Sequence, residues 1–385
     1  MAIRPRRLAL IAGGSAALLA AGVLTATIAQ AAPACGSGTF NAEAVRSGNT
    51  WTSRNGSRTL YTGSDMRSAV QAALSSLTAG RTSQQRVVVR GSGDISANSR
   101  VSLTSYTTLH VCGTMNVTGS GTGDQAPIYA RGATNIEVTH LRLTGVPRYG
   151  IFMRNVNNLT LGVIDMRLSG GSGIGIRIDN HGGNRAVKAR NVNIESVYVQ
   201  GSGDHGVETY GVDGVRIGTV TARNTGGAGL LLNDTINATV GTVDGNGAGT
   251  GTGYAAFRMA NRNGRIGNSY PTNIRVGTVI ARGGGRGIFC VSESGGAVID
   301  RVDLANTGGN SVLIENCHNV TLAAQSGTIT GGGEVRIASR PTFAASSNNT
   351  LQNLTVRNVG IRLSPCGTGN VIRNVTRVNS TLTWC

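Results

Sequence analysis

From about residue 105 to the C-terminus, apolar and polar residues alternate in short runs punctuated by Gly and Asn, and the runs are of two kinds. One opens on Gly or another small or polar residue and carries apolar side chains at its second and fourth positions, as in Gly150-Ile-Phe-Met-Arg-Asn, Gly175-Ile-Arg-Ile-Asp-Asn, Gly206-Val-Glu-Thr-Tyr-Gly, Gly229-Leu-Leu-Leu-Asn-Asp and Gly287-Ile-Phe-Cys-Val-Ser. The other lies between these and reads Gly214-Val-Arg-Ile-Gly-Thr-Val, Asn237-Ala-Thr-Val-Gly-Thr-Val or Asn273-Ile-Arg-Val-Gly-Thr-Val. With Tyr254-Ala-Ala-Phe-Arg-Met counted in the first series, its units start at 150, 175, 206, 229, 254, 287, 310 and 334. Period-two alternation predicts strands, and a repeat of this length predicts coils that stack so that inward residues form one continuous core. The Leu-x-x-Leu-x-Leu frame of a leucine-rich repeat is absent, and a β-sandwich would not repeat the Gly-Thr-Val unit.

Ahead of the repeat, Ser64-Asp65 precede Met66, Ala69, Val70, Ala73, Leu74 and Leu77, whose spacing predicts an amphipathic helix over residues 64–77. Arg86-Val87-Val88-Val89 then reads as a buried strand, and residues 32–63, without sustained periodicity, as a loop-rich lead-in. At the N-terminus, Arg4, Arg6 and Arg7 precede an uncharged run over residues 8–28 and the small-residue site Ala29-Gln30-Ala31, which predicts a cleaved signal peptide over residues 1–31 and a single mature domain over 32–385. Arg6-Arg7 leaves both general and twin-arginine export open. No other run is apolar for long enough to cross a bilayer.

This order of elements resembles the pectin-lyase-like right-handed parallel β-helix proteins, from about residue 64 to the C-terminus. The resemblance implies an all-β solenoid with an N-terminal capping helix, and a secreted enzyme that acts on polysaccharides. Six cysteines in an exported chain point to disulfides. Of the fifteen connectivities, the sequential one, Cys35–Cys112, Cys290–Cys317 and Cys366–Cys385, is the expectation; no zinc-type spacing is present.

Alternation also sorts the outward side chains. Third positions of the first unit give Phe152, Arg177, Glu208, Leu231, Ala256 and Phe289, and fifth positions give Arg154, Asp179, Tyr210, Asn233, Arg258 and Val291. They form a polar band centred on Glu208. Longer steps add segments around residues 181–188 and 261–270 that are expected to wall it. Asp204 and His205 occupy the turn entering the Glu208 strand, and Asp234 lies one coil further on. His140, on a strand away from the band, is expected to be structural.

Two carboxylates flanking one bond suit glycoside hydrolysis. Asp179 and Glu208, one coil apart and two residues out of step, have backbones expected at about 8 Å. The candidate catalytic residues are therefore Asp179, Asp204, His205 and Glu208, with Arg154, Arg177, Tyr210, Asn233, Asp234 and Arg258 binding substrate. Ser202-Gly203-Asp204-His205-Gly206 resembles the Ser-Gly-Gly-His-Gly segment of polygalacturonases, which matches His205 to their histidine; the Asn-Thr-Asp, Asp-Asp and Arg-Ile-Lys elements of that family are absent. β-Elimination from a uronic acid is the alternative, with His205, Tyr210 or an arginine as base and Arg177 or Arg258 neutralising the carboxylate. No cofactor is expected for hydrolysis. A lyase would admit calcium at Asp179, Asp204, Glu208 and Asp234, although the Arg-x-Pro-x-x-Arg segment of calcium-dependent pectate lyases is absent.

The formal charge of +17 favours an acidic partner. Nucleic acid is disfavoured, since aromatic residues make up 4% of the chain and acids are interspersed among the arginines. The leading expectation is a secreted monomeric enzyme hydrolysing an acidic, pectin-like polysaccharide. A non-catalytic glycan-binding β-helix is the rival from another class.

Overall fold

In a computed structural model, which describes residues 35–180, 186–250 and 253–385, the chain winds as a right-handed parallel β-helix. The leader lies outside the described residues. The two kinds of run become two long sheets of 16 and 12 strands among the described residues, in which the strands of the coils pair in parallel with their equivalents one coil away. Inward positions are filled by Val, Ile and Leu: Ile176, Ile178, Val207, Leu230 and Leu232 are wholly buried and belong to one continuous apolar column. Stacking thus buries what no single coil could.

Asn ends many runs because it tolerates the left-handed conformation of the corners. Asn135, Asn158 and Asn191 have φ of 56°, 54° and 59°. Their side chains form a ladder, Asn158 donating to Asn135 at 3.1 Å and Asn191 to Asn158 at 2.9 Å.

The helix spans Met66–Ser75, with Asp65 accepting from the Ser68 amide at 2.7 Å. Met66, Ala69, Val70, Ala73 and Leu74 are buried on its inner face, against the first coil. The lead-in is not loop-rich: Ala42–Ser47, Thr50–Asn55 and Arg58–Gly63 form an antiparallel meander that extends the larger sheet. Its inward residues include Ala42, Ala44 and Ser53, too small or polar to signal a strand by hydrophobicity alone.

Cys35–Cys112, Cys290–Cys317 and Cys366–Cys385 are bridged, the sequential pairing. Three disulfides suit an oxidising compartment. No helix among the described residues is long and apolar enough to cross a membrane. His140 sits on the larger sheet, stacked on His110 and bonded through Nδ1 to the Val111 carbonyl at 2.6 Å.

Candidate active site

Strand pairing in the smaller sheet sets two outward rows. Phe152, Arg177, Glu208, Leu231, Arg258 and Phe289 are successive partners in the first, and Arg154, Asp179, Tyr210, Asn233 and Ala260 in the second. One coil departs from the expected register. Its unit opens at Ala256, which is 1% exposed and turned into the core, and not at Tyr254. Arg258 therefore moves from the second row into the row of Glu208, and Tyr254 falls in the entering turn. Phe257 and Met259 decide this, because two bulky apolar residues take the two inward positions that the wrong frame gave to Ala255 and Phe257.

A chain of charged hydrogen bonds crosses the rows. Arg154 donates to Asp179 at 2.7 and 3.0 Å, Arg177 donates from Nε to Asp179 at 2.7 Å and from Nη1 to Glu208 at 2.8 Å, and Asn233 donates to the other Glu208 oxygen at 2.7 Å. Asn261, at the start of the second inserted segment, donates to Asn233 Oδ1 at 3.0 Å. Asp179 is fully buried. Burial opposes its charge, but the bonds from Arg154 and Arg177 hold it below the usual carboxylate range. With both oxygens engaged, Asp179 orients Arg177 and is not presented to a substrate. Burial raises Glu208 above the usual range, against the lowering effects of Arg177 and Asn233.

Asp204 and His205 are held in the turn before Val207–Tyr210. The Ala228 amide donates to His205 Nδ1 at 2.9 Å, which assigns the ring proton to Nε2. Burial brings His205 down to about 4; Asp204 opposes this, while Arg258 and Arg177 reinforce it, so the ring is neutral at pH 7. Tyr254 meets His205 edge to face at 5.2 Å. Asp204 Oδ1 lies 3.4 Å from His205 Nδ1 and accepts no hydrogen bond. Gly227 makes room for this pair, since a Cβ there would collide with both Asp204 Oδ1 and His205 Nδ1.

Arg258 differs from the other basic residues of the band. It has no ion pair among the described residues, its Nε is shut off from solvent without an acceptor, and its guanidinium lies 5.4 Å from the Tyr254 ring and 5.3 Å from that of Phe289. Burial lowers its pKa, although Tyr254, Glu208 and Asp204 act in the opposite sense.

The remaining candidates disperse. Asp234 turns aside to Lys188, which binds its carboxylate at 2.8 Å and its carbonyl at 2.6 Å. Tyr210 is 9% exposed, with the Arg177 guanidinium 5.9 Å from its ring. Asp179, Glu208 and Asp234 are each bonded to basic or amide groups. Residues 181–185 of the first inserted segment lie outside the described residues. Beyond Asn261, the second segment leans over later coils, where Arg262 and Arg265 pair with Glu293 and Tyr270 packs on His318 at 4.6 Å. Sequence reasoning missed Tyr254 as a site residue; the small Ala256 in the place of an opening Gly is the signal that would have found it.

Solved structures share this fold. The A-module of the Azotobacter vinelandii mannuronan C-5 epimerase AlgE4 matches with a TM-score of 0.57 at 13% identity, covering 84% of this chain and 94% of that one. The A-module of the AlgE6 epimerase from the same organism matches with a TM-score of 0.40 at 15% identity, covering 84% and 96%. No protein-family model and no curated sequence matches the chain. At such identity the AlgE4 likeness establishes the parallel β-helix and nothing narrower.

Proposed function

We propose that this chain is an exported, pectin-lyase-like enzyme that acts on a uronic-acid polysaccharide, and that it removes the proton at C5, beside the sugar carboxylate. The observation that carries this reading is Arg258. A half-buried guanidinium without a carboxylate partner is costly, and an anionic substrate group would supply the missing charge. It stands in the same row as Glu208 and beside the turn holding Asp204 and His205. The AlgE4 module, part of a mannuronan C-5 epimerase, lends the fold precedent.

In this reading the substrate carboxylate lies against Arg258. Asp204, whose side chain is 44% exposed although its Oδ1 is enclosed, takes the C5 proton through its outer oxygen. The C5–H electron pair moves onto the carboxylate, and Arg258 neutralises the enediolate that forms. In elimination those electrons then form the C4–C5 double bond as the C4–O bond breaks, and the leaving oxygen takes a proton from water. Reprotonation of C5 from the opposite face would instead give the epimer. Arg177, bonded to Glu208 and Asp179, keeps the floor of the site rigid.

Hydrolysis, the leading expectation from the sequence, has one observation in its favour, the raised pKa of Glu208. The Asp179–Glu208 couple does not serve it, because Asp179 is enclosed by two guanidiniums. Incubation with alginate and polygalacturonate in D2O separates the readings. Unsaturated ends, or deuterium at C5 without cleavage, support proton abstraction; new reducing ends with neither would replace it by hydrolysis. No turnover of either polymer would leave a binding protein. Arg258→Gln and Asp204→Asn should each remove the C5 chemistry.

A further inference from the structure

We propose that the later coils of the same sheet carry a second anion-binding tract, which holds the acidic polymer on one side of the reacting sugar. This rests on the uronic-acid reading above and extends it. The row through Glu208 and Arg258 continues through Phe289 and Leu313 to Arg336 and Arg362, each the strand partner of the one before. Coil stacking puts Arg336 about 14 Å and Arg362 about 19 Å from Arg258. Phe289 and Leu313 form a flat apolar floor with Ala255 and Ala338, and Arg286 lies over Phe289 at 4.8 Å.

The charges of this tract are incompletely paired. Arg336 and Arg362 share one carboxylate, Glu334, at 3.7 and 2.8 Å, and the Nε of each is shut off from solvent with no acceptor. Arg340 pairs with Glu315 at 2.9 Å, while Arg286 has only the neutral Asn310 Oδ1, at 3.2 Å. Here Arg286, Arg336, Arg340 and Arg362 face just Glu315 and Glu334. Around Glu208 the two signs are nearly even, since Arg100, Arg131, Arg148, Arg154, Arg177 and Lys188 sit among Asp124, Asp179, Asp204, Glu208 and Asp234. The excess of positive charge is therefore greater over the C-terminal coils, which favours a polyanion there, with the reacting residue at one end of the bound stretch.

The test compares the full mature chain with the Arg336→Gln/Arg362→Gln double variant by calorimetric titration with polygalacturonate, alginate and the corresponding disaccharides. Both side chains are partly exposed, at 34% and 41%, so the fold should survive. The double variant should bind the polymers roughly three- to tenfold more weakly and the disaccharides as tightly as before. An Arg216→Gln control, in the groove of about 860 Å³ on the larger sheet, should leave both unchanged. Unaltered polymer binding in the double variant, together with loss in Arg258→Gln, overturns the tract and leaves the function standing. Equal loss for polymer and disaccharide overturns it too. If the wild-type chain binds neither polyuronate, the acidic-substrate reading itself falls.

Discussion

Acidification should destabilise this protein through His205, and by an amount that can be worked out. The ring is buried at 7% exposure, with Nδ1 accepting from the Ala228 amide, and its pKa falls from 6.5 to about 4. In the window between those values the unfolded chain binds a proton that the native state refuses, so stability is present above 6.5 and is lost as pH falls towards 4. At pH 5 the unfolded imidazole is about thirtyfold more protonated than neutral, whereas in the native state the protonated form is roughly a tenth of the neutral one. The linkage integral then gives about 2 kcal/mol lost relative to pH 8. Glu208, with its pKa raised, contributes in the opposite sense, so the measurement must be differential. His205→Asn keeps an acceptor near the Ala228 amide and removes the titration. Urea unfolding with the disulfides intact, at pH 7 and pH 5, should show the wild type losing about 2 kcal/mol more than the variant. Equal losses would refute the buried neutral imidazole.

Arg258→Met should abolish turnover, by about a hundredfold or more, while leaving the denaturation midpoint unchanged or higher, since it removes a buried cation that has no partner. Asp179→Asn removes the carboxylate between Arg154 and Arg177, which keep only Asp124 and Glu208 as anionic partners, and should destabilise by roughly 1–3 kcal/mol, read as a lower urea midpoint. Gly227→Ala should push Asp204 and His205 apart, removing activity with little change in the far-ultraviolet spectrum.

Most of the fold was legible because stacking coils demand the same thing repeatedly. The inward Val, Ile and Leu of units such as Gly229-Leu-Leu-Leu-Asn recur at the period of stacked coils, without the Leu-x-x-Leu-x-Leu frame of a leucine-rich repeat. The meander over residues 42–63 was not legible, because Trp51 is the one large apolar residue beside Ala42, Ala44 and Ser53 at its buried positions, too few for an alternating pattern. In the site, Arg154, Arg177, Glu208, Tyr210 and Asn233 could be placed from alternation. Arg258 was assigned to the wrong row, since the Tyr254 unit fits either of two frames until its neighbours are known.

Alternation and repeat are local properties, so the sequence by itself determined that the chain coils, which faces of its strands turn inward, and where the capping helix starts. Tertiary structure alone decided how coils align, because alignment depends on insertions whose paths are not periodic. From that alignment follow the enclosure of Asp179 between two guanidiniums, the turning of Asp234 to Lys188, and the unpartnered charge of Arg258 beside Asp204 and His205. Those relations join residues up to 54 positions apart in sequence, as Arg258 and Asp204 are; only the stack brings them within reach of one another.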